Sequence, residues 1–262
     1  MSDKRKRIVL KFGSGILASA RGNALDEKQF KRLAAEVSQL VSDGHECVIV
    51  SSGAVAAGMG VLKMKERPTE LAACQACAAV GQSKLMQLYS ANFAAHKISV
   101  AQLLLTHGDL DSRTRYRNAK NTLQRLLACK NLVPIINEND SVAVEELRFG
   151  DNDRLSAEVA QLADAQLLIL LTSVDGLLDS DSKRVPLVEN IEHVAKFARE
   201  EKGRLSVGGM ISKLEAVKLA VHAGIPTVIA SGRREGMIPA IVAGKPIGTR
   251  FVTRGEKFDA AK

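Results

Sequence analysis

Short apolar runs alternate with longer amphipathic segments along this chain. The runs with the length and composition of buried strands are 7–12, 46–50, 98–105, 132–136, 166–171 and 227–230. Segments with helical spacing lie at 26–43, 69–95 (one long helix or a pair of helices divided at Gly81), 109–129, 155–163, 191–199 and 206–223. Strands that alternate with helices are typical of a mainly parallel sheet covered on both faces. We therefore predict an α/β fold, namely a three-layer α/β/α sandwich with an open sheet.

The composition of the chain indicates one globular domain that binds anionic ligands. The chain has 262 residues, 46% of them hydrophobic, which suits one large α/β domain. Its 37 Lys and Arg residues outnumber 29 Asp and Glu residues, and the charge of +8 favours anionic ligands. Aromatic residues make up 3%, so stacking platforms for single-stranded nucleic acid are not expected. No segment approaches the roughly 20 apolar residues of a membrane span, and no signal peptide opens the chain. We expect a cytoplasmic protein without membrane or nucleic-acid partners.

Cys74 and Cys77 form a C-x-x-C pair inside the long helical segment 69–95. A structural zinc site needs a second pair of ligands at similar spacing, and neither Cys47 nor Cys129 has a close partner. We therefore interpret Cys74 and Cys77 as buried small side chains, and the four cysteines together suit a reducing compartment.

Small polar residues follow several of the predicted strands. Gly13-Ser14-Gly15 ends the first strand, Ser51-Ser52-Gly53 the second and Thr172-Ser173 the fifth. The carboxyl ends of parallel strands are the usual place for ligands, and glycine-rich turns leave N–H groups open to phosphate. Lys11 lies within the first strand, where burying a lysine without a role is costly. For any single turn, a serine N-cap beside a packing glycine is an equal alternative.

The densest polar region is 134–156, where Asn137-Glu138-Asn139-Asp140 and Gly150-Asp151-Asn152-Asp153 bracket an expected hairpin. Grouped carboxylates and amides suit a ligand that carries an ammonium and a carboxylate. We interpret Asp153 as the N-cap of the helix at 155–163.

Paired glycines open the last predicted helix in the segment 206–213 (S-V-G-G-M-I-S-K). Such a start leaves N–H groups exposed for phosphate, and Lys213 adds positive charge. A flexible loop before a helix with a surface lysine is the alternative.

Together these motifs resemble the amino acid kinase family. K-F-G-S-G, V-S-S-G-A-V, P-I-I-N-E-N-D-S-V, F-G-D-N-D-R-L-S-A and G-G-M-I-S-K stand in that family's order across residues 7–251. The pairing of N-E-N-D with F-G-D-N-D is similar to the branch that phosphorylates glutamate. The resemblance implies one kinase domain over 1–251, with a substrate side in 1–170, a nucleotide side in 171–251 and a charged tail at 252–262.

The resemblance implies transfer of the γ-phosphoryl group of ATP to the side-chain carboxylate of L-glutamate, with Mg²⁺, as the first step of proline biosynthesis. It implies that Lys11, Asp151 and Lys213 are catalytic, with Asp151 holding the two ammonium groups. Ser52, Asp140 and Asn152 match substrate-binding positions, and no protein metal ligand is implied. The positions that match nucleotide-binding segments are Lys11, Gly13, Thr172, Ser173, Val207, Gly208, Gly209, Met210, Ile211, Ser212 and Lys213.

This chemistry fits the residue types. A carboxylate is already a nucleophile at neutral pH, so the reaction needs alignment and charge neutralisation rather than a base. Asp140 can pair with the ammonium of glutamate, and the amide of Asn152 can donate to a substrate carboxylate. Ser173, Val207 and Gly15 depart from the residues common in the family. The alternatives are a kinase of the N-acetylglutamate type and a non-catalytic sensor of amino acid and nucleotide.

Further expectations come from the resemblance alone. They are assembly into dimers or tetramers, feedback inhibition by proline and hand-off of the product to glutamyl phosphate reductase. Eleven residues follow Phe251, so we do not expect the C-terminal PUA domain that many relatives carry.

Overall fold

The computed structural model describes residues 5–19, 21–143, 151–192, 194 and 209–253. Its described strands form one sheet in the order β3-β4-β2-β1-β5-β7-β8-β6. Paired neighbours are parallel except β7 and β8. The strands are β1 (Arg7–Phe12), β2 (Glu46–Ser51), β3 (Ser99–Leu105), β4 (Leu132–Glu138), β5 (Leu167–Thr172), β6 (Leu187–Val188), β7 (Thr227–Ser231) and β8 (Thr249–Phe251).

Helices cover both faces of this sheet. The described helices are α1 (Ser14–Leu17), α2 (Glu27–Ser42), α3 (Ala54–Val61), α4 (Leu71–Ala94), α5 (His107–Asp111), α6 (Arg113–Leu127), α7 (Asp151–Leu162), α8 (Gly209–His222) and α9 (Met237–Val242). The predicted strands are present with ends shifted by a residue or two. Two short strands, β6 and β8, were missed because they are too short to show a period.

The single helix predicted at 109–129 needs correction. The segment 109–129 forms two helices, because Thr106 starts α5 with a capping box and Ser112 has an extended backbone before α6. Of the two alternatives for 69–95, the structure shows the single long helix, because α4 runs unbroken through Gly81 from Leu71 to Ala94. The hairpin expected between the two polar clusters, most of the helix at 191–199 and the tail from 254 lie outside the described residues.

Alternation along β1 divides the core into two layers. Ile8, Leu10 and Phe12 pack in the cluster under α2 and α4, whereas Val9 packs in the cluster under α7 and α8. Successive side chains of a strand point to opposite faces, so Lys11 lies on the same face as Val9. The sequence therefore places the lysine of β1 towards α7 and α8. The two clusters confirm the three-layer arrangement.

The sheet order brings β1 to a point where the topology reverses. β2 pairs with one edge of β1 and β5 with the other, and Gly13 N–H donates to the Leu171 carbonyl at 3.3 Å. In open parallel sheets such a reversal leaves a crevice beyond the carboxyl ends of the strands. The polar residues that follow β1, β2, β4 and β5 therefore meet along one edge of the sheet.

Helices α3 and α4 cross with their backbones in contact. A Cβ atom added to Gly58 would lie 1.8 Å from the Cys77 carbonyl oxygen, and one added to Gly81 would lie 1.8 Å from that of Ala54. Glycine is required at both positions because any side chain would force the helices apart. The crossing fixes the start of α3, directly after Ser52, against the middle of α4. Cys74 and Cys77 are buried beside it, as predicted.

Candidate active site

A buried lysine lies at the carboxyl end of β1. Lys11 is 5% exposed, and its Nζ lies 2.5 Å from Asp153 Oδ1. A Cβ atom on Gly13 would come within 3.4 Å of that Nζ and 3.3 Å of the Leu171 carbonyl oxygen. The glycine after β1 therefore leaves room for the ammonium group of Lys11.

A second lysine reaches the same carboxylate from α8. Lys213 Nζ lies 3.0 Å from Asp153 Oδ2 and donates to the Gly209 carbonyl at 2.9 Å. Ser212 Oγ donates to Asp153 Oδ2 at 3.0 Å. Asp153 therefore joins two lysines that lie far apart in the sequence, and we call Lys11, Asp153 and Lys213 the lysine bridge.

The opposite charges of the lysine bridge stabilise one another's ionised forms. Burial alone would raise the pKa of Asp153, but the charges of Lys11 and Lys213 outweigh burial and hold that pKa below its usual range. Burial lowers the pKa of Lys11, and the neighbouring charge of Asp153 opposes this change. Two ammonium groups around one carboxylate leave an excess of one positive charge, which favours an anion at this place.

Among the described residues, the carboxylate that meets both lysines is that of Asp153, whereas the sequence predicted Asp151 in this place. The helix predicted to start at 155 starts at Asp151, so Asp153 lies in the first turn of α7 rather than before it. It is not an N-cap; its carboxylate meets the two lysines instead. The side chain of Asp151 lies outside the described residues, so its role stays a prediction.

Beside the bridge lies a group of neutral side chains from the loop after β2 and from α4, β4 and α7. Asn152 Nδ2 lies 3.1 Å from the Ser51 carbonyl oxygen, 3.0 Å from Ser52 Oγ and 3.1 Å from Asn137 Oδ1. Asn137 Nδ2 donates to Gln82 Oε1 at 2.9 Å. We call Ser52, Gln82, Asn137 and Asn152 the amide network.

The network changes the role expected for Asn152. Its NH₂ group already faces three acceptors of the protein, whereas its Oδ1 is buried without a hydrogen-bond partner among the described residues. The atom that remains for a ligand is therefore an acceptor, which suits an ammonium group rather than the carboxylate we predicted.

The other predicted site residues lie along the same edge of the sheet. Asp140 is half-buried in the turn after β4, Thr172 is the last residue of β5, and Ser173 is exposed beside it. A Cβ atom on Gly15 would lie 3.8 Å from Ser173 Oγ, so the loops after β1 and β5 are adjacent. Gly209, Met210 and Ile211 open α8 and are half-buried, whereas Val207 and Gly208 lie outside the described residues.

Sequence reasoning did not single out Gln82 or Asn137. Asn137 lies within the polar cluster after β4, so its type and position offered a signal. Gln82 is one of several polar residues of α4, and its hydrogen bond to Asn137 becomes visible only in the fold.

The described residues contain neither a cluster of metal-binding side chains nor a membrane-spanning helix. Within that part of the chain, no group of three or more His, Cys, Asp or Glu residues could hold a metal ion. Likewise, none of the described helices is both long and apolar enough to cross a membrane.

The sequence matches known kinases over most of its length. A model of the amino acid kinase family matches residues 6–231. Glutamate 5-kinase of Citrifermentans bemidjiense is 45% identical over 266 residues, which cover 99% of this chain and 71% of the relative. Glutamate 5-kinase of Thermus thermophilus is 48% identical over 262 residues, which cover 96% of this chain and 70% of the relative.

Solved structures of more distant proteins share the fold. A UMP kinase from Bacillus anthracis has a TM-score of 0.64 at 17% identity, covering 97% of this chain and 98% of that one. A carbamate kinase from Giardia has a TM-score of 0.66 at 16% identity, covering 95% and 99%. At this identity the likeness concerns the fold alone, and it confirms the predicted α/β architecture.

Proposed function

This chain belongs to the amino acid kinase family, and we propose that it transfers the γ-phosphoryl group of ATP to the side-chain carboxylate of L-glutamate. The product is L-glutamyl 5-phosphate, and the reaction is the first step of proline biosynthesis. The lysine bridge is the observation that carries the proposal. It holds two ammonium groups at the carboxyl ends of the strands, where a transferring phosphoryl group needs its charge neutralised.

The residues of the bridge act without moving a proton. A side-chain carboxylate oxygen of glutamate forms a bond to the γ-phosphorus, and the bond from that phosphorus to the departing oxygen of ADP breaks. Lys11 approaches from β1 and Lys213 from α8, so the two cations meet the phosphoryl oxygens from different sides. Asp153 is a positioning residue, because its two oxygens fix both ammonium groups before the substrates arrive.

Ser52, Asp140 and Asn152 form the substrate side of the proposed site. Asn152 offers its Oδ1, and Asp140 a carboxylate, to the ammonium group of glutamate. An acetylated amine carries no such charge, so we favour glutamate over N-acetylglutamate. The predicted contact of Asp151 with the lysines stays a prediction, because the side chain of Asp151 lies outside the described residues.

The nucleotide side comprises the loops after β1 and β5 together with the start of α8. Gly13, Thr172, Ser173 and the segment 207–213 are the proposed contacts to ATP, with the N-terminus of α8 favouring its phosphates. Mg²⁺ would enter with ATP and be held by its phosphates and water. Asp153 is not a fitting ligand for the ion, because both of its oxygens face the lysine bridge.

Three further parts of the proposal rest on family resemblance alone. They are a homo-oligomeric state, inhibition by proline and hand-off of the acyl phosphate to a reductase. The proposed cytoplasmic location rests instead on the composition and cysteine content of the sequence.

A hydroxamate assay for acyl phosphate tests the activity. The protein is incubated with ATP, Mg²⁺ and hydroxylamine, and with L-glutamate, N-acetyl-L-glutamate or L-aspartate. We expect hydroxamate with L-glutamate and little with the other two acids. Product with N-acetyl-L-glutamate alone would replace our choice of substrate.

The variant Lys213→Ala separates a kinase from a non-catalytic sensor. We expect kcat to fall about 100-fold, because a cation facing the phosphoryl group is lost, while the Kd for L-glutamate stays within about twofold. Lys218→Ala is the matched control, since Lys218 lies on the same helix in an exposed ion pair with Glu192. Equal turnover in the wild type and Lys213→Ala would remove Lys213 from the mechanism.

A further inference from the structure

Gln82 presents an unsatisfied donor at the end of the amide network. Its Oε1 accepts from Asn137 Nδ2 at 2.9 Å, whereas its Nε2 is buried without a hydrogen-bond partner among the described residues. A buried donor without an acceptor costs about 1–3 kcal/mol, so a native site that keeps one has a reason for it.

The orientation of this amide follows from backbone groups. Glu138 N–H donates to Asn137 Oδ1 at 2.9 Å, which fixes the oxygen of Asn137 on one side and turns its NH₂ group towards Gln82. Gln82 must therefore present its oxygen to Asn137, because two NH₂ groups cannot bond to each other. The nitrogen of Gln82 is thus the free atom.

The position of Gln82 is fixed as firmly as its orientation. It follows Gly81, where the backbone of α4 contacts that of α3. Asn152, at the other end of the network, is held by the carbonyl of Ser51 and the hydroxyl of Ser52. A donor held this rigidly loses little conformational entropy when a ligand binds.

The two unpaired atoms of the amide network complement the two charged groups on the α-carbon of an amino acid. Its free donor is Gln82 Nε2 and its free acceptor is Asn152 Oδ1, which match a carboxylate and an ammonium group respectively. Asn137 lies on β4, two strands from Lys11 on β1, which is about 10 Å at the usual strand spacing. A substrate whose side-chain carboxylate meets the lysine bridge therefore turns its α-carbon end towards the network.

We propose that Gln82 binds the α-carboxylate of the amino-acid substrate through Nε2. The identity of that substrate as glutamate rests on the proposed function. Gln82 is thereby a specificity residue: it selects substrates with a free α-carboxylate, whereas the lysine bridge acts on the opposite end of the same molecule.

The test compares L-glutamate with L-glutamate 1-amide, in which a neutral carboxamide replaces the α-carboxylate. The Kd of each ligand is measured by titration calorimetry in the presence of a non-hydrolysable ATP analogue. The wild type is expected to prefer L-glutamate. In Gln82→Glu, the new side chain still accepts from Asn137, but its second oxygen repels the α-carboxylate and accepts from the carboxamide.

We expect the preference for L-glutamate over the 1-amide to fall at least about tenfold in Gln82→Glu, which is the loss of one hydrogen bond to a charged group. Gln87→Glu is the matched control, because Gln87 is an exposed residue of the same helix. This control should leave the preference within about twofold of the wild type.

The preference is a ratio within one protein sample, so a change in the folded fraction does not alter it. An unchanged ratio in Gln82→Glu, or an equal change in Gln87→Glu, would overturn the inference. So would a wild type that binds the two ligands equally. Binding does not require turnover, so a negative hydroxamate assay with the expected binding ratios would overturn the kinase proposal and leave the role of Gln82 standing.

Discussion

The lysine bridge and the amide network lie side by side, but the bridge consists of charged side chains and the network of neutral ones. The bridge is a set of charges, with the side chains of Lys11 and Lys213 only 6% and 13% exposed around an aspartate at 1%. The network consists of neutral amides and a hydroxyl that fix one another's orientation. In the proposed reaction, the charged residues lie where charge is transferred, and the neutral hydrogen-bonding residues lie where the substrate is oriented and selected.

One helix joins the two regions. Asn152 and Asp153 are neighbours in the first turn of α7, yet Asn152 contacts the network and Asp153 contacts the bridge. Neighbouring helical residues point about 100° apart, so one turn can serve both partners. We predicted different partners for the adjacent residues Asp151 and Asn152, and the structure shows different partners for Asn152 and Asp153.

Asp153→Asn should have the largest effect, because it removes the charge that holds the bridge together. Two buried ammonium groups would lose their counter-charge, and we expect about 3–5 kcal/mol less stability in denaturant unfolding. The kcat should fall about 100–1000-fold, since neither lysine keeps its place.

Asp164→Asn is the control for that variant. Asp164 pairs with Lys120 on the surface, and its side chain is 59% exposed. Exposed pairs contribute roughly 0–1 kcal/mol, so stability and kcat should change little. Nearly normal kcat in Asp153→Asn would show that the bridge is a structural ion pair only.

Gly81→Ala perturbs the crossing of α3 and α4, which positions the amide network, and leaves the polar atoms of the network unchanged. The added Cβ would lie 1.8 Å from the Ala54 carbonyl oxygen, so α3 and α4 must separate. Overpacking of this kind costs about 1–3 kcal/mol, seen as a lower Tm. Because Ser52 and Gln82 flank the crossing, KM for L-glutamate should rise severalfold more than KM for ATP.

Gly108→Ala is the matched control, since its Cβ would meet only Thr106 Oγ1 within 4 Å, at 3.7 Å. It should leave both KM values unchanged. A Gly81→Ala variant that raises the two KM values equally would contradict the separation of substrate and nucleotide sides.

The smallest effect concerns pH. Burial lowers the pKa of Lys11 below its usual value, and the mechanism uses the charged form of this lysine. As pH rises, Lys11 therefore loses its proton earlier than an exposed lysine would, and kcat/KM for ATP should decline on the alkaline side before the ordinary lysine range. Circular dichroism across the same pH range excludes unfolding as the cause.

Much of the fold could be predicted because periodicity is local. The apolar runs at β1, β2 and β5 are each recognisable without knowing their neighbours. The regions that form the site could also be predicted, from the polar residues that follow the strands and from a lysine whose burial in a strand would be costly without a role. The contacts of individual atoms could not be predicted, because each depends on partners distant in sequence.

Asp153 shows why the contacts of the site could not be predicted from the sequence. Its role depends on α7 starting at Asp151 rather than 155, and the tertiary contacts with two lysines override the simpler reading of an N-cap. The free atom of Asn152 depends on Ser51 and Asn137, which arrive from two different strands. Gln82 and Gln87 are indistinguishable in the helical pattern, and only the fold places one of them beside Asn137.

The lysine bridge also determines when the active site can form during synthesis of the chain. Lys11 is made among the first residues, whereas Lys213 follows about 200 residues later, which is roughly 10–40 s at typical rates of synthesis. Until α7 and α8 have left the ribosome, Lys11 has neither its counter-charge nor its partner. Contacts this distant in sequence form late and slow the folding of the domain. A nascent or truncated chain therefore has no phosphoryl-binding centre, and the activity arises only once nearly the whole domain has folded.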